Sequence, residues 1–138
     1  MATYNKFEGF VGYLGLAVIN ANTDLFDVYI TNLAPSASAD NVKADLVGAT
    51  EENGYTESDA QNTFSEASGT GTCVTVDITW TAAAGSFGPF QYIVMFDETV
   101  ASPVVDPLIS WWDYGSSITI NDGESFTVDF GASVFTIA

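Results

Sequence analysis

The chain has 138 residues, of which 18 are Asp or Glu, only two are basic and none is His, so its formal net charge is −16. Because so few cations can contact phosphate groups, the sequence predicts that the protein binds neither nucleic acid nor an anionic membrane. Apolar residues make up 47% of the chain and aromatic residues 14%, which is enough for the hydrophobic core of one domain spanning residues 1–138.

The first periodic segment is residues 4–19, where apolar side chains recur at steps of three or four, as on one face of an amphipathic helix. They are Phe7, Phe10, Val11, Leu14 and Val18. Three glycines each weaken such a helix by about 1 kcal/mol relative to Ala, so we expect it to depend on tertiary packing. The segment has no charged start of a secretory signal, and its apolar run is shorter than a membrane span. We therefore expect a soluble protein made in a reducing compartment.

Residues 24–31 alternate between apolar and polar side chains, which predicts a strand. Its inward residues are Phe26, Val28 and Ile30. Residues 32–71 are polar and interrupted by Gly and by Pro35. A segment of this length in a small domain favours a long loop with a functional or partner-ordered role. Within it we expect a helical turn near residues 41–47 and a strand near residues 62–68.

The second half of the chain is a succession of strand patterns. They cover residues 74–80, 90–97, 108–114, 117–120, 125–130 and 133–138. Residues 90–97 are apolar on both faces, so we expect a central strand, and Asn121-Asp122-Gly123 predicts a hairpin turn. Short strands without helical linkers predict a mainly β fold, an antiparallel, jelly-roll-like β-sandwich with one short N-terminal helix and a long loop.

The alternation also predicts which side chains form the core. In residues 74–80 the inward residues are Val74, Val76, Ile78 and Trp80. The residues expected to be buried together are Phe26, Val76, Ile78, Val94, Phe126 and Val128. Cys73 has no second cysteine with which to form a disulfide within the chain, and we expect it to act as a small buried apolar residue.

The residues that most enzymes use are scarce. With no His, the commonest general base is absent, and Cys73 has no partner to activate it as a nucleophile. Pairs of carboxylates carry little information, because 18 acidic residues form pairs by chance. Residues 121–124 offer side-chain oxygens that suit calcium, but they are better explained as a turn. We expect no enzymatic activity, no cofactor and no metal site.

Trp111 and Trp112 are adjacent, so in a strand their side chains point to opposite faces. Tyr114 falls on the same face as Trp112. One interpretation is that both faces of this strand are covered within the domain. The other is that Trp112 and Tyr114 stack on a sugar or anchor an interface with a partner.

Several stretches of the chain resemble a group of small virion proteins of tailed bacteriophages. In order they are NKFEGFV, VYITNLAP, NGYT, GPFQYIVMFDET and PLISWWDYGSSITINDGESFTVDF, and they span most of the chain. The block from WWDYGSSIT to FTVDF is the most specific of them. Genes of this group generally lie among head and tail genes, so the resemblance implies a component of the phage particle and supplies no catalytic residues. The acidic stretch TEENGYTESDAQNTFSEASG departs from the group.

We therefore expect a decoration (cement) protein on the outer face of the phage head, assembled in the host cytoplasm and located in the virion. Its expected partners are the major capsid protein, other virion proteins and further copies of itself in the particle. The alternative is a tail or fibre component that recognises a host glycan, and a hydrolase using carboxylates alone is a third reading. The expected interface residues are Phe7, Phe10, Val11, Leu14, Pro35, Trp112 and Tyr114.

The charge generates a first prediction, which is that the protein does not retain DNA even at low salt. Non-specific binding strengthens as salt is lowered, because the release of counterions from DNA then favours any protein that neutralises phosphates, so about 50 mM salt is a demanding condition. An electrophoretic mobility shift at that salt concentration tests this, with a basic DNA-binding protein as the positive control. A shift that weakens as salt is added would contradict the prediction.

Overall fold

The fold is described from a computed structural model covering residues 2–138. Within these residues the chain forms ten strands, one α-helix and one 3₁₀ turn. They are β1 (Tyr4–Lys6), α1 (Glu8–Gly15), β2 (Phe26–Thr31), the 3₁₀ turn (Lys43–Asp45), β3 (Ser58–Asp59), β4 (Thr63–Ala67), β5 (Thr70–Val74), β6 (Ile78–Thr81), β7 (Phe87–Asp97), β8 (Leu108–Ile120), β9 (Ser125–Val128) and β10 (Phe135–Ile137). Strands hold 42% of the chain and helices 8%, which confirms the mainly β prediction.

The strands form three antiparallel sheets. The largest has five strands in the order β1-β8-β7-β2-β3, the second has the order β10-β5-β4, and the third pairs β6 with β9. Strand β7 is the central strand of the five-stranded sheet, as predicted for residues 90–97. Several pairs, such as β1 with β8 and β5 with β10, join strands far apart in sequence, as the connections of a jelly roll do.

The main core lies between the five-stranded sheet and the two smaller sheets, which makes the fold the predicted sandwich. From the large sheet it takes Phe26, Val28, Ile30, Phe90, Ile93 and Met95, and from the smaller sheets Cys73, Ile78, Trp80 and Val128. The inward face predicted for β2 is therefore confirmed, and Cys73 is buried as expected. The two inner faces bury their apolar side chains against each other, as in other sandwiches.

A second core covers the opposite face of the five-stranded sheet. It consists of Phe7, Tyr29, Leu46, Val94, Phe96 and Leu108. The loop that follows β2 supplies this cover, because the Tyr29 hydroxyl donates to the Leu46 carbonyl at 2.7 Å. Lys43 lies over the Phe96 ring at 4.5 Å and pairs with Glu57 at 2.6 Å. Part of the long loop is thus a structural layer, which makes β7 buried on both faces.

The predicted helix over residues 4–19 is too long. Residues 4–6 form β1, in which Tyr4 pairs with Trp112, and the helix itself covers only Glu8–Gly15. Phe7 between them has extended backbone and is fully buried, with its N–H donating to the Ile109 carbonyl. Pairing with the edge of β8 satisfies the backbone groups of residues 4–6, which outweighs a helix weakened by glycines.

The predicted strand over residues 74–80 is two strands with a break between them. Strand β5 ends at Val74 and β6 begins at Ile78, because the chain crosses here from one sheet to another. Ile78 and Trp80 are buried as predicted, whereas Val74 and Val76 are 36% and 43% exposed. Alternation of apolar residues continues through the crossing, so the pattern alone could not reveal the break.

Three other expectations are refined. Residues 108–120 form one strand, β8, instead of two. Asn121-Asp122-Gly123 is a turn, with the Glu124 N–H donating to the Asn121 carbonyl at 2.9 Å, but it is not a hairpin, because β9 pairs with β6 and not with β8. Within the long loop, the expected helical turn and strand are present as Lys43–Asp45 and β4.

The six residues predicted to be buried together do not all lie in one core. Phe26, Ile78 and Val128 lie together in the main core, as expected. Val94 belongs to the second core, and Phe126 is only half-buried, at the margin of the main core. Val76 lies outside both cores.

The two nearby residues Ile78 and Val76 therefore make a matched pair for a stability test. Ile78→Ala should lower the free energy of unfolding by about 2–5 kcal/mol, because it leaves a cavity in the main core. Val76→Ala should change it by no more than about 0.5 kcal/mol, because its side chain is largely solvated. Urea unfolding followed by circular dichroism measures both values, and equal losses for the two variants would mean that the break between β5 and β6 is wrongly placed.

Candidate functional site: an aromatic groove

A groove of about 660 Å³ opens where the middle of β8 faces β9 and the turn that follows it, with residues 2–4 at one side. Five aromatic rings contribute to its wall. The rings that line it are Tyr4, Trp112, Tyr114, Phe126 and Phe130. A concave, largely apolar surface with a few polar groups is the usual form of a small-molecule site, so this groove is the candidate functional site.

Strand geometry places two of these rings. Trp112 and Tyr114 are two residues apart in β8 and therefore project from the same face. Trp111 projects from the other face and packs on Phe7, with ring centroids 4.5 Å apart. The prediction that the two tryptophans point to opposite faces is confirmed.

The rings of the groove hold one another in place through edge-to-face contacts. The Trp112 ring lies 5.7 Å from Tyr4 and 5.2 Å from Phe130, and the Tyr114 ring lies 5.8 Å from Phe126. Such pairs stabilise a fixed geometry beyond the burial of their area. Trp112 is half-buried, while Tyr114 is 50% exposed, so the groove presents a fixed aromatic wall with an accessible ring at its mouth.

The groove carries little charge. Asp129 is the one charged residue of its lining, and that carboxylate accepts a hydrogen bond from the Gly131 N–H at 2.7 Å. The other polar side chains of the lining are the hydroxyls of Thr3, Thr127, Ser133 and the two tyrosines. With no cation in its wall, the groove suits a ligand that is uncharged and rich in hydroxyl groups.

Sequence reasoning found only part of this site. It singled out Trp112 and Tyr114, and the structure brings them together with three rings that it did not connect to them. Phe126 and Phe130 share one face in the alternating pattern of residues 125–130. That pattern indicates that the two rings are buried, but it does not indicate which residues lie next to them. Tyr4 was assigned to a helix, so its place beside Trp112 could not be foreseen.

The other expected interface residues lie near the N-terminus, and the structure separates them. Phe7 and Phe10 are 0% and 2% exposed, which corrects the expectation that they are available to a partner. Val11 is 53% exposed, and Leu14 and Pro35 are partly buried.

Helix α1 and the loop that bears Pro35 lie side by side. The Glu8 N–H donates to the Ala37 carbonyl at 2.9 Å, which ties the start of the helix to the loop. Residues 9–23 and 28–39 contain no charged side chain. We call the apolar residues of these two segments that are exposed (Val11, Leu16 and Leu33) or partly exposed (Leu14 and Pro35) the helix–loop surface.

The residues weighed for metal or nucleophilic chemistry have other contacts. The Glu124 carboxylate accepts hydrogen bonds from the N–H and the side-chain amide of Asn121, at 2.9 and 3.1 Å. Within residues 2–138, no three His, Cys, Asp or Glu side chains converge as a metal site. Burial raises the pKa of the Cys73 thiol to about 12, so the thiolate is scarce at neutral pH. None of the helices in this part of the chain has the length and apolar character needed to cross a membrane.

A pair of adjacent carboxyl groups, the buried Asp97 and the partly exposed Asp24, lies where β2 and β7 meet. Asp97 is fully buried, and its Oδ1 accepts from the backbone N–H groups of Thr99 and Val100. Its Oδ2 has no donor among the described residues and lies against the carboxyl group of Asp24. Burial, and then the adjacent Asp24, raise the pKa of Asp97 to about 7. Two carboxyl groups in contact hold a proton between them, since both cannot ionise without repulsion.

The chain matches no protein-family model, and neither a curated protein nor a solved structure is significantly similar to it.

The carboxyl pair predicts how stability depends on pH. The folded chain holds a proton on Asp97 up to pH about 7, whereas an unfolded Asp loses it near pH 3.8. The stabilisation is therefore complete below the lower value and is lost as pH rises through the higher one. Asp97→Asn, whose amide can donate to Asp24 at any pH, should raise the free energy of unfolding at about pH 8 by about 1–3 kcal/mol.

Urea unfolding between about pH 4 and pH 8 tests this, and the difference between variant and parent should grow across that range. Asp122→Asn, in the exposed turn after β8, is the control for loss of one negative charge. A constant difference between the Asp97→Asn variant and the parent across the range would contradict a shared proton.

Proposed function

We propose that the chain is a non-enzymatic structural protein of a tailed-phage virion, bound as a decoration protein to the outer face of the head shell. The observation that carries this proposal is the distribution of charge. A chain with a net charge of −16 has an exposed apolar surface in two segments without any charged residue. Contact with the major capsid protein would use this helix–loop surface, and the acidic remainder would face solvent.

Electrostatics explains why an apolar contact surface and an otherwise acidic exterior suit a protein present in many copies. Copies that carry −16 each repel one another, and at physiological salt this repulsion is screened over about 8 Å. A contact made through residues without charge avoids most of the repulsion and gains from the burial of apolar area. The acidic surface then keeps decorated particles apart in solution.

The resemblance to small phage virion proteins supports the same proposal, and so does the chemistry of the chain. The single thiol is buried and protonated, and no His is present to act as a base. Nothing in the groove supplies a base next to a nucleophile, which covalent catalysis needs.

A second candidate function is favoured by the aromatic groove. It is a tail or fibre component that recognises a host glycan through Trp112 and Tyr114. Immunogold labelling of intact particles discriminates between the two locations, because a decoration protein labels heads and a fibre component labels tails.

The docking surface generates a prediction about particle binding. Val11→Glu combined with Leu16→Glu should lower occupancy on heads that lack this protein by at least about tenfold, because the contact would bury two new charges without partners. Sedimentation of heads with added protein measures occupancy. Binding of the parent chain should persist at moderate salt, because the contact is apolar.

Val76→Glu is the matched control, since it adds a charge at a residue that is 43% exposed and lies outside the helix–loop surface. Circular dichroism checks that all variants keep their β signal. Full occupancy by the double variant would rule out this surface, and failure of the parent chain to bind any head would rule out the decoration role.

A further inference from the structure

We infer that the aromatic groove is a binding site for an uncharged saccharide, with a pyranose ring stacked against Trp112 and Tyr114. This deepens the second candidate function by naming the class of saccharide, and it rests on the proposed function in one respect, which is that the chain is displayed on the particle surface. The site is the same whether that surface belongs to a head or to a tail.

The rings provide the apolar half of saccharide recognition. A pyranose has faces made of C–H groups, and these pack on the electron-rich face of an aromatic ring. Tyr114 is 50% exposed although its ring is fixed against Phe126. Trp112, held between Tyr4 and Phe130, continues the same wall deeper into the groove. Because these rings are already fixed by their neighbours, little conformational entropy is lost on binding.

The polar groups of the lining favour hydroxyl ligands. Ser133 and the exposed Tyr114 supply hydroxyl groups, which donate and accept as sugar hydroxyls do, whereas the Thr127 hydroxyl pairs with that of Thr79 at 2.7 Å. Asp129 supplies a carboxylate whose Oδ2 is not used by the Gly131 hydrogen bond and can accept from a sugar hydroxyl. A volume of about 660 Å³ lies within the range of about 300–1,000 Å³ found for small-molecule sites.

The electrostatics exclude acidic sugars. The groove contains one carboxylate and no cation, in a chain whose net charge is −16. A sialic acid, a uronic acid or a sugar phosphate would be repelled, with no Lys or Arg in the lining to compensate. The expected ligands are therefore neutral hexoses and N-acetylhexosamines and their short oligomers.

The main competing occupant of an aromatic groove is a second copy of the chain. Two copies that carry −16 each repel one another, and Asp129 lies within the groove itself. An aromatic surface that bound a second copy would bring the Asp129 carboxylates of the two copies close together. A neutral saccharide packs against the same rings without adding charge.

Tryptophan fluorescence offers a direct test, because Trp111 and Trp112 are neighbours on opposite faces of β8. The full chain would be titrated with gluco-, galacto- and manno-configured hexoses, with N-acetylglucosamine and N-acetylgalactosamine, and with their trisaccharides, to millimolar concentration. Sialic acid and glucuronic acid are the charged probes. We expect at least one neutral probe to change the emission and neither charged probe to do so.

Three variants locate the response. Trp112→Phe should abolish the emission change, and the matched control Trp111→Phe should retain it, because only Trp112 lines the groove. Tyr114→Ala, which removes a half-exposed ring and so should fold normally, should weaken binding by about tenfold or more. Ligand-observed NMR measures affinity for these variants independently of fluorescence.

The inference is overturned if none of the neutral probes binds the folded chain. It is overturned equally if Trp111→Phe, and not Trp112→Phe, abolishes the emission change. It is also overturned if light scattering shows a dimer that Tyr114→Ala dissociates, since the groove would then belong to a second copy. Particle occupancy is a separate readout. Heads that bind the chain while no sugar does would leave the decoration role standing and remove the saccharide site.

Discussion

The fold depends on one strand that is buried on both faces. Strand β7 carries Ile93 and Met95 toward the main core and Val94 and Phe96 toward the second core. Its regular pairing with β8 from Tyr92 to Met95 sets the direction of the opposing side chains of β8, so Trp112, opposite Ile93, is directed to the face that carries the groove. The N-terminal residues then add β1 to the other edge of β8. Neither core nor groove would form if this central pairing slipped by one residue, because all side chains would exchange faces.

The sequence predicted the class of fold because apolar periodicity reports burial directly. Within residues 90–97, residues 92–96 are apolar at consecutive positions, which only a doubly covered strand explains in an antiparallel fold. The failures have one cause, which is that periodicity carries no information about partners. Val76 continues an alternating pattern across a point where the chain changes sheet. Asn121-Asp122-Gly123 has the residues of a hairpin turn, but the strand after it pairs with β6.

The candidate site, too, could be predicted from the sequence only in part. The direction of Trp112 and Tyr114 follows from their separation by two residues in one strand, and it was predictable. The rings that fix them come from β1, from β9 and from the turn after β9, and only tertiary structure brings those elements together. Likewise Phe7 and Phe10 have the spacing of a single helical face, yet each is buried in a different core. A local pattern identifies apolar side chains without showing which of them the chain itself covers.

The net charge bears in the same way on the two exposed apolar regions, the helix–loop surface and the groove. For a chain at −16, contact through acidic surface is opposed by repulsion, so association is least costly where carboxylates are absent. The helix–loop surface has no charged residue, and the groove has only Asp129. The first is aliphatic, which suits contact with a protein surface, whereas the second is concave and lined by aromatic rings, which suits a small ligand. A chain held to a particle by the first region would keep the second free to bind, so attachment and ligand recognition would not compete for the same side chains.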